Sequence, residues 1–158
     1  MDEDKLNRLP PDVKKQFIKL ASKLSEKKQK TKVHDDFLTF VKHVWPEFIE
    51  GAHHKKIAEK FNDIANKKIK RLIINMPPRH TKSEFASFLL PAWMVGRRPN
   101  LKIIQSTHTT ELAIRFGRKA KTLMDSPEYK QVFDTRLRED SQAAGKWETQ
   151  QGGEYYAA

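Results

Sequence analysis

Lys82 and Ser83 stand side by side at the end of a short loop that follows an apolar run, and no other pair in this chain is better suited to chemistry. The stretch reads Ile73-Ile74-Asn75-Met76-Pro77-Pro78-Arg79-His80-Thr81-Lys82-Ser83. A strand, a loop and a helix in that order point the first-turn N–H groups of the helix at an anion. A lysine so placed reaches the β- and γ-phosphates of a nucleotide, and the adjacent hydroxyl ligates Mg²⁺. Lys82 is therefore the candidate catalytic cation, Ser83 the candidate metal ligand, and Pro78 to Ser83 the candidate cofactor-binding loop for ATP.

The loop departs from the common phosphate-binding pattern G-x-x-x-x-G-K-[ST], because Met76 and Thr81 occupy its two glycine positions. Glycine lets the backbone take positive φ and approach the phosphates closely. A loop without glycine must follow a different path. On these residues alone, a Lys-Ser pair opening an ordinary helix is the alternative.

The 158 residues suffice for one domain with a core, or for a piece of a larger one. Charged residues make up 32% of the chain and the net charge is +11, so the expected partner is anionic, with nucleic acid first. The excess is uneven: residues 1–50 carry 11 Lys/Arg against 9 Asp/Glu, and residues 51–158 carry 20 against 11. A solvated basic face is the other reading of that excess. The lack of cysteine excludes disulfides and thiolate metal sites. Met1-Asp2-Glu3-Asp4-Lys5 is acidic without an apolar segment after it, which is not a secretory signal, and the apolar runs are far too short to span a membrane. A soluble protein is expected.

The elements that must position the loop follow from periodicity. Pro10-Pro11-Asp12 opens a helical pattern with Val13, Phe17, Ile18, Ala21 and Leu24 on one side, fading into Glu26-Lys27-Lys28-Gln29-Lys30-Thr31-Lys32. Residues 1–32 thus read as a helical N-terminal arm and linker. Helices are expected from Asp35 to Trp45, ended by Pro46, and from about His53 to Lys67. Leu72-Ile73-Ile74 is continuously apolar, which predicts a strand over Arg71 to Asn75 buried on both faces. A helix from Lys82 to about Val95 follows, with Pro91 predicting a kink or an early end. Then come a strand at Leu101 to Gln105 and a helix from Glu111 to Met124, which together predict a right-handed parallel βαβ unit. Lys146 to Tyr156, with Gly152-Gly153 at its centre, reads as a β-hairpin. Trp45, Trp93 and Trp147 read as core.

Taken together, these residues resemble the ATPase domain of the large terminase subunit, the genome-packaging motor of tailed bacteriophages. Members of that family carry Pro-Pro-Arg-His-Gly-Lys-Ser after a strand ending Asn-Met, and Asn75 to Ser83 is similar except that Thr81 replaces the glycine. The resemblance extends upstream through His53-His54-Lys55-Lys56-Ile57-Ala58 and Arg71 to Ile74. Downstream it takes in Gln105 to Ala113 and the Lys146 to Tyr156 hairpin, covering residues 35–158 in all.

The resemblance implies an α/β fold of the P-loop NTPase (ASCE-type) class, a parallel sheet flanked by helices and incomplete at the C-terminus. Residues 33–158 would be a partial ATPase domain that stops before Walker B. No apolar strand ending in paired acids follows Lys82, since Arg138-Glu139-Asp140 has no such run before it. This chain alone is accordingly expected to bind nucleotide weakly and to hydrolyse it negligibly. The whole protein would couple ATP hydrolysis, with Mg²⁺, to translocation of double-stranded DNA into a prohead in the host cytoplasm. Portal protein and small terminase subunit would be its partners, and it would assemble as a homo-oligomeric ring with no membrane association.

By the same resemblance Arg79 would sense or stabilise the γ-phosphate, against the alternative of a surface arginine. His53 and His54 would contact adenine, or else cap and pack their helix. His80 shapes the loop. Ser106 to Thr110 sits at a strand's C-terminal end, where open α/β sheets place ligands, and is equally a helix N-cap. Arg97, Arg98, Lys102, Arg115 and Arg118 are candidates for DNA phosphate contact. Two other readings stay open: a basic nucleic-acid-binding module without nucleotide hydrolysis, and a helicase-like ATPase.

Overall fold

The computed structural model describes residues 10–158, so the start of the N-terminal arm lies outside the described residues. The chain is mixed α/β. Its helices are α1 (Pro11–Asp35), α2 (Phe37–Val44), α3 (Ala52–Ala65), α4 (Lys82–Glu84), α5 (Leu90–Arg97), α6 (Thr110–Asp125) and α7 (Pro127–Val132). A π-helical turn, Phe85–Leu89, joins α4 to α5 without a break. The strands are β1 (Lys102–Gln105), β2 (Leu137–Ala143), β3 (Lys146–Thr149) and β4 (Glu154–Ala157).

Helix α1 starts where proline at its first position and Asp12 in its first turn suit a helix N-terminus. It does not fade into a linker after Leu24, because Glu26 to Lys32 continue as helix to Asp35. Lysine, glutamate and glutamine are good helix formers whatever their polarity, so a polar run need not be a break. Most of α1 stands clear of the core: Val13, Phe17, Ile18, Leu20 and Leu24 are all exposed, and Val33 is its one fully buried residue among those described. Replacing exposed Ile18 and Leu20 with serine is accordingly expected to change stability by no more than other surface substitutions do, within about 0.5 kcal/mol each. A thermal melt of the double variant checks this.

Asp36 separates α1 from α2. Its extended backbone ends the first helix, and its carboxylate accepts the Thr39 N–H (2.8 Å) and hydroxyl (2.7 Å) at the start of the second. Asn62 of α3 completes the corner by donating to Asp36 Oδ1 (2.8 Å) and accepting the Phe37 N–H (2.9 Å). Burial works to raise the Asp36 pKa, but these hydrogen bonds outweigh it and hold the carboxyl below its ordinary value.

The core is an aromatic cluster. Phe37 lies edge-on to Phe61 (5.0 Å), Phe85 (5.4 Å) and Trp93 (5.4 Å), and Phe40 meets Tyr129 and Phe133. The Trp93 indole donates to the His34 carbonyl (3.1 Å) and Tyr129 donates to that of Ala92 (2.9 Å), so both buried polar tips are satisfied. Trp147 and Tyr155 stack at 4.9 Å on the sheet face against α6, and Trp147 donates to the Gly117 carbonyl. Trp93 and Trp147 are fully buried, as expected of core residues; Trp45 is half-buried beside Phe48.

The sheet order is β1-β4-β3-β2. It is mixed: β1 and β4 run parallel, with Ile103 opposite Tyr155, while β2·β3 and β3·β4 are antiparallel. The hairpin expected over Lys146 to Tyr156 is β3–β4, in register at Trp147 and Tyr155. Its turn passes through Gly152 at φ +84°, a conformation that glycine adopts at no steric cost. Two elements, α7 and β2, were not expected.

Residues 71–77 correct the sequence reading. They form neither helix nor strand and pair with no strand among the described residues, so the expected parallel unit with 101–105 does not form. Nor is the run buried on both faces. Leu72, Ile74 and Met76 pack on the core while Ile73 is 86% exposed. An apolar run tells which side chains could be buried; whether a second face is covered depends on what lies next to it.

Of the two outcomes expected at Pro91, an early end does not occur, since the helical run continues through it to Arg97. Leu90, the residue before it, donates its N–H to the Phe85 carbonyl in the wider π register. The irregular turn therefore sits just ahead of the proline, where the helical ladder must in any case lose a donor.

Candidate phosphate-binding site

The run from Arg71 carries the chain along the core edge to Met76, with Leu72, Ile74 and Met76 packed inward, and the helical run from Lys82 leads back into the core through buried Phe85 and Leu89. Between these two anchored segments the loop Pro77 to Thr81 turns in the open. Arg79 (φ 63°) and Thr81 (φ 58°) both sit in the left-handed region, so the turn that glycine would make easily is made here by two residues with side chains. Pro77 to Glu84 line an open cavity of about 320 Å³.

Lys82 folds back over this cavity, its Nζ 3.5 Å from the Met76 carbonyl across the loop. That places an ammonium group between the two ends of the turn, held by one long contact. Among the described residues, neither the Arg79 guanidinium nor the Ser83 hydroxyl has a partner, and both are exposed. His80 folds onto its own loop through Nδ1 and the Pro78 carbonyl (2.9 Å), in keeping with a shaping role. Among the described residues the loop thus presents one cationic side chain held by a single long contact, a second without a partner, and an unpartnered hydroxyl.

The histidine pair lies behind the loop. Gly51 caps α3, and the Nδ1 of His54, three residues on, accepts its N–H (2.8 Å), as a glutamate does in a capping box. A Cβ at position 51 would come within 2.8 Å of the His53 ring, so glycine is what admits the pair. His54 is buried between Phe48 and Phe85, and its Nε2 meets the Thr81 hydroxyl at 2.7 Å. Desolvation, then the neighbouring His53 and His80, lower its pKa below the ordinary histidine value despite Glu50. His53 lies tilted against His54 (3.8 Å between ring centroids) and approaches His80 (5.7 Å); its buried Nε2 has no partner among the described residues. For His54, the capping and packing reading is realised.

Other candidate residues fall elsewhere. Thr109 N-caps α6 by accepting the Leu112 N–H, so that part of Ser106 to Thr110 does structural work. Arg97 stacks on Trp93 at 4.8 Å and donates to Asn66, which makes it a structural arginine. Arg98 is half-buried and Lys102 is exposed. Arg115 and Arg118 are exposed along α6 and, with Phe88, line a groove of about 490 Å³. Arg138 pairs with Asp140 (2.6 Å) and Glu148 (2.9 Å) on the hairpin.

Two site features escaped sequence reasoning. One is the His54–Thr81 hydrogen bond, which joins residues 27 positions apart. The other is Glu84, whose carboxylate binds Lys119 (2.8 and 3.1 Å) and ties the turn after Ser83 to α6. The glycine three residues ahead of His54 was the one local signal, and it pointed to a cap rather than to the loop.

No protein-family model matches the chain, and neither a curated protein nor a solved structure matches it.

Proposed function

We propose that the loop Met76 to Ser83 binds the polyphosphate of Mg·ATP and that the chain is the nucleotide-binding part of a DNA-packaging ATPase of the terminase large-subunit kind. The observation that carries the nucleotide reading is Lys82. Its ammonium lies over a loop built on two left-handed residues, at the first turn of a continuous helical run. Phosphoryl transfer depends on positioning and charge neutralisation more than on covalent chemistry by the protein. Lys82 supplies charge at the β- and γ-phosphates, Arg79 adds a second cation from the loop tip, and the backbone N–H groups of the turn supply directed donors.

Ser83 fits a Mg²⁺ that arrives with the nucleotide. Its hydroxyl is exposed and unpartnered, and the described residues contain no cluster of three His, Cys, Asp or Glu to hold a metal unaided. Mg²⁺ ordinarily takes few protein ligands and relies on phosphate oxygens and water, so one hydroxyl is a sufficient protein contribution here. The ion would neutralise charge on the phosphates. The terminase assignment, with double-stranded DNA as the second partner, is supported by the resemblance across residues 35–158 and by the net charge of +11.

The experiment is a thermal-shift titration with Mg·ATP and, separately, with double-stranded DNA at several salt concentrations. A saturable Mg·ATP shift supports the nucleotide site. A shift with DNA alone, falling steeply with salt, favours instead a basic nucleic-acid-binding module, for which the exposed Arg115 and Arg118 are the natural contacts.

A further inference from the structure

Thr81 presents a difficulty that its surroundings resolve. A residue with a Cβ in the left-handed region is uncommon, and a β-branched one is strained there. Thr81 nevertheless holds φ 58°, ψ 10° at the residue just before Lys82. Three hydrogen bonds in series account for this. The Gly51 N–H donates to His54 Nδ1 (2.8 Å), which leaves the proton of a neutral ring on Nε2. Nε2 then donates to Thr81 Oγ1 (2.7 Å), and the Thr81 hydroxyl donates onward to the His80 carbonyl (2.7 Å). Every donor and acceptor in the series has one consistent role. The Thr81 proton is committed to the loop's own backbone and is not available to a phosphate.

We infer that His54 is a positioning residue of the loop, its Nε2–H latching Thr81 into the left-handed turn that sets where Lys82 stands. The side chain that replaces glycine is thereby made into the handle by which α3 grips the loop. The grip is rigid on the His54 side, since Phe48 (4.8 Å) and Phe85 (5.1 Å) flank the ring. The charged and titratable groups around it are Glu50 from the preceding loop, His53 from its own helix and His80 from the phosphate loop, while the helical run contributes only the Phe85 ring. The complete series requires the neutral ring: a proton on Nδ1 leaves the Nε2–H donor to Thr81 in place but removes the acceptor for Gly51 that anchors the ring. The depressed pKa fits that requirement. The sign follows: the neutral ring's contribution to stability is full above the ordinary histidine value of 6.5 and is lost as pH falls from there through the lower folded value.

The test uses His54→Phe, which keeps the aromatic packing and removes the donor, His54→Gln, whose amide keeps a donor but does not titrate, and Thr81→Gly, which needs no latch. The first readout is independent of nucleotide: ring ¹⁵N shifts report the His54 tautomer, and the amide–Hα coupling of Thr81 reports its φ. The second is Mg·ATP affinity, and this arm rests on the nucleotide reading above. The expected result is an Nε2–H tautomer at neutral pH and a Thr81 coupling that leaves its left-handed value in H54F but not in H54Q. Mg·ATP should bind about tenfold more weakly to H54F than to the parent, the size of one lost hydrogen bond, whereas H54F combined with T81G should bind as T81G alone does. Acid should weaken the parent more than H54Q. If H54F is too unstable to study, recovery of folding in H54F/T81G supports the latch and failure to recover counts against it. An unchanged Thr81 coupling and unchanged affinity in H54F overturn it. If the parent binds no Mg·ATP while the Thr81 coupling responds to H54F, the latch stands and the nucleotide reading falls.

Discussion

Replacing Lys82 with alanine is expected to remove the Mg·ATP-induced thermal shift while leaving the unliganded protein as stable as the parent. The ammonium makes one contact at 3.5 Å in the unliganded loop, so the fold loses little with it. The bound polyphosphate would lose much more. A charge-assisted hydrogen bond contributes about 1.5–3 kcal/mol, so loss of one such bond weakens binding by roughly 10- to 100-fold and loss of two by more than 100-fold. Lysine in this position acts as a point charge, so Lys82→Arg would restore the charge but displace it, and partial recovery is expected. Calorimetric titration of the three proteins with Mg·ATP measures the series. Retention of parental affinity by Lys82→Ala would mean that the anion site lies elsewhere.

The second large effect is on the fold. Phe37 is fully buried at the centre of the aromatic cluster, touching rings from α2, α3, the π turn and α5. Truncation to alanine removes the transfer free energy of a phenyl ring and leaves a cavity that four rigid neighbours cannot easily fill. The expected loss is about 3–5 kcal/mol, or a drop of roughly 10 °C or more in the thermal midpoint of a chain this size. The consequence reaches the site. Phe85, one of the rings left without a neighbour, also packs on His54 and stands three residues after Lys82. Phe37→Ala should therefore weaken Mg·ATP binding even in the fraction that remains folded. Phe37→Leu, which refills most of the volume, should recover much of both properties. Equal losses for the two variants would show that the cavity is not the cause.

The helices were largely legible in advance because each announces itself locally. Asp35 to Trp45, His53 to Lys67 and Glu111 to Met124 carry apolar residues at helical spacing, and the observed α2, α3 and α6 fall within a few residues of those limits. The hairpin was legible for the same reason, through paired aromatic strands around Gly152-Gly153. The errors lie where a local pattern has two outcomes. Glu26 to Lys32 is polar enough for a linker and helical enough for α1, and continuity into Asp35 decides it. Leu72 to Ile74 is apolar enough for a doubly covered strand, yet one face of it meets the core and Ile73 meets solvent.

For the candidate site, the chain itself put Lys82 beside Ser83, behind two prolines, an arginine and a histidine, and thereby determined which groups could meet a polyphosphate. It also determined that Thr81 would stand where a glycine is usual. Only the tertiary structure decided how that threonine is accommodated, because the explanation lies 27 residues away on another helix, in the ring nitrogen of His54. Spacing along a chain reports which residues share a turn or a face. It carries no information about which two distant side chains a packed core will bring to hydrogen-bonding distance.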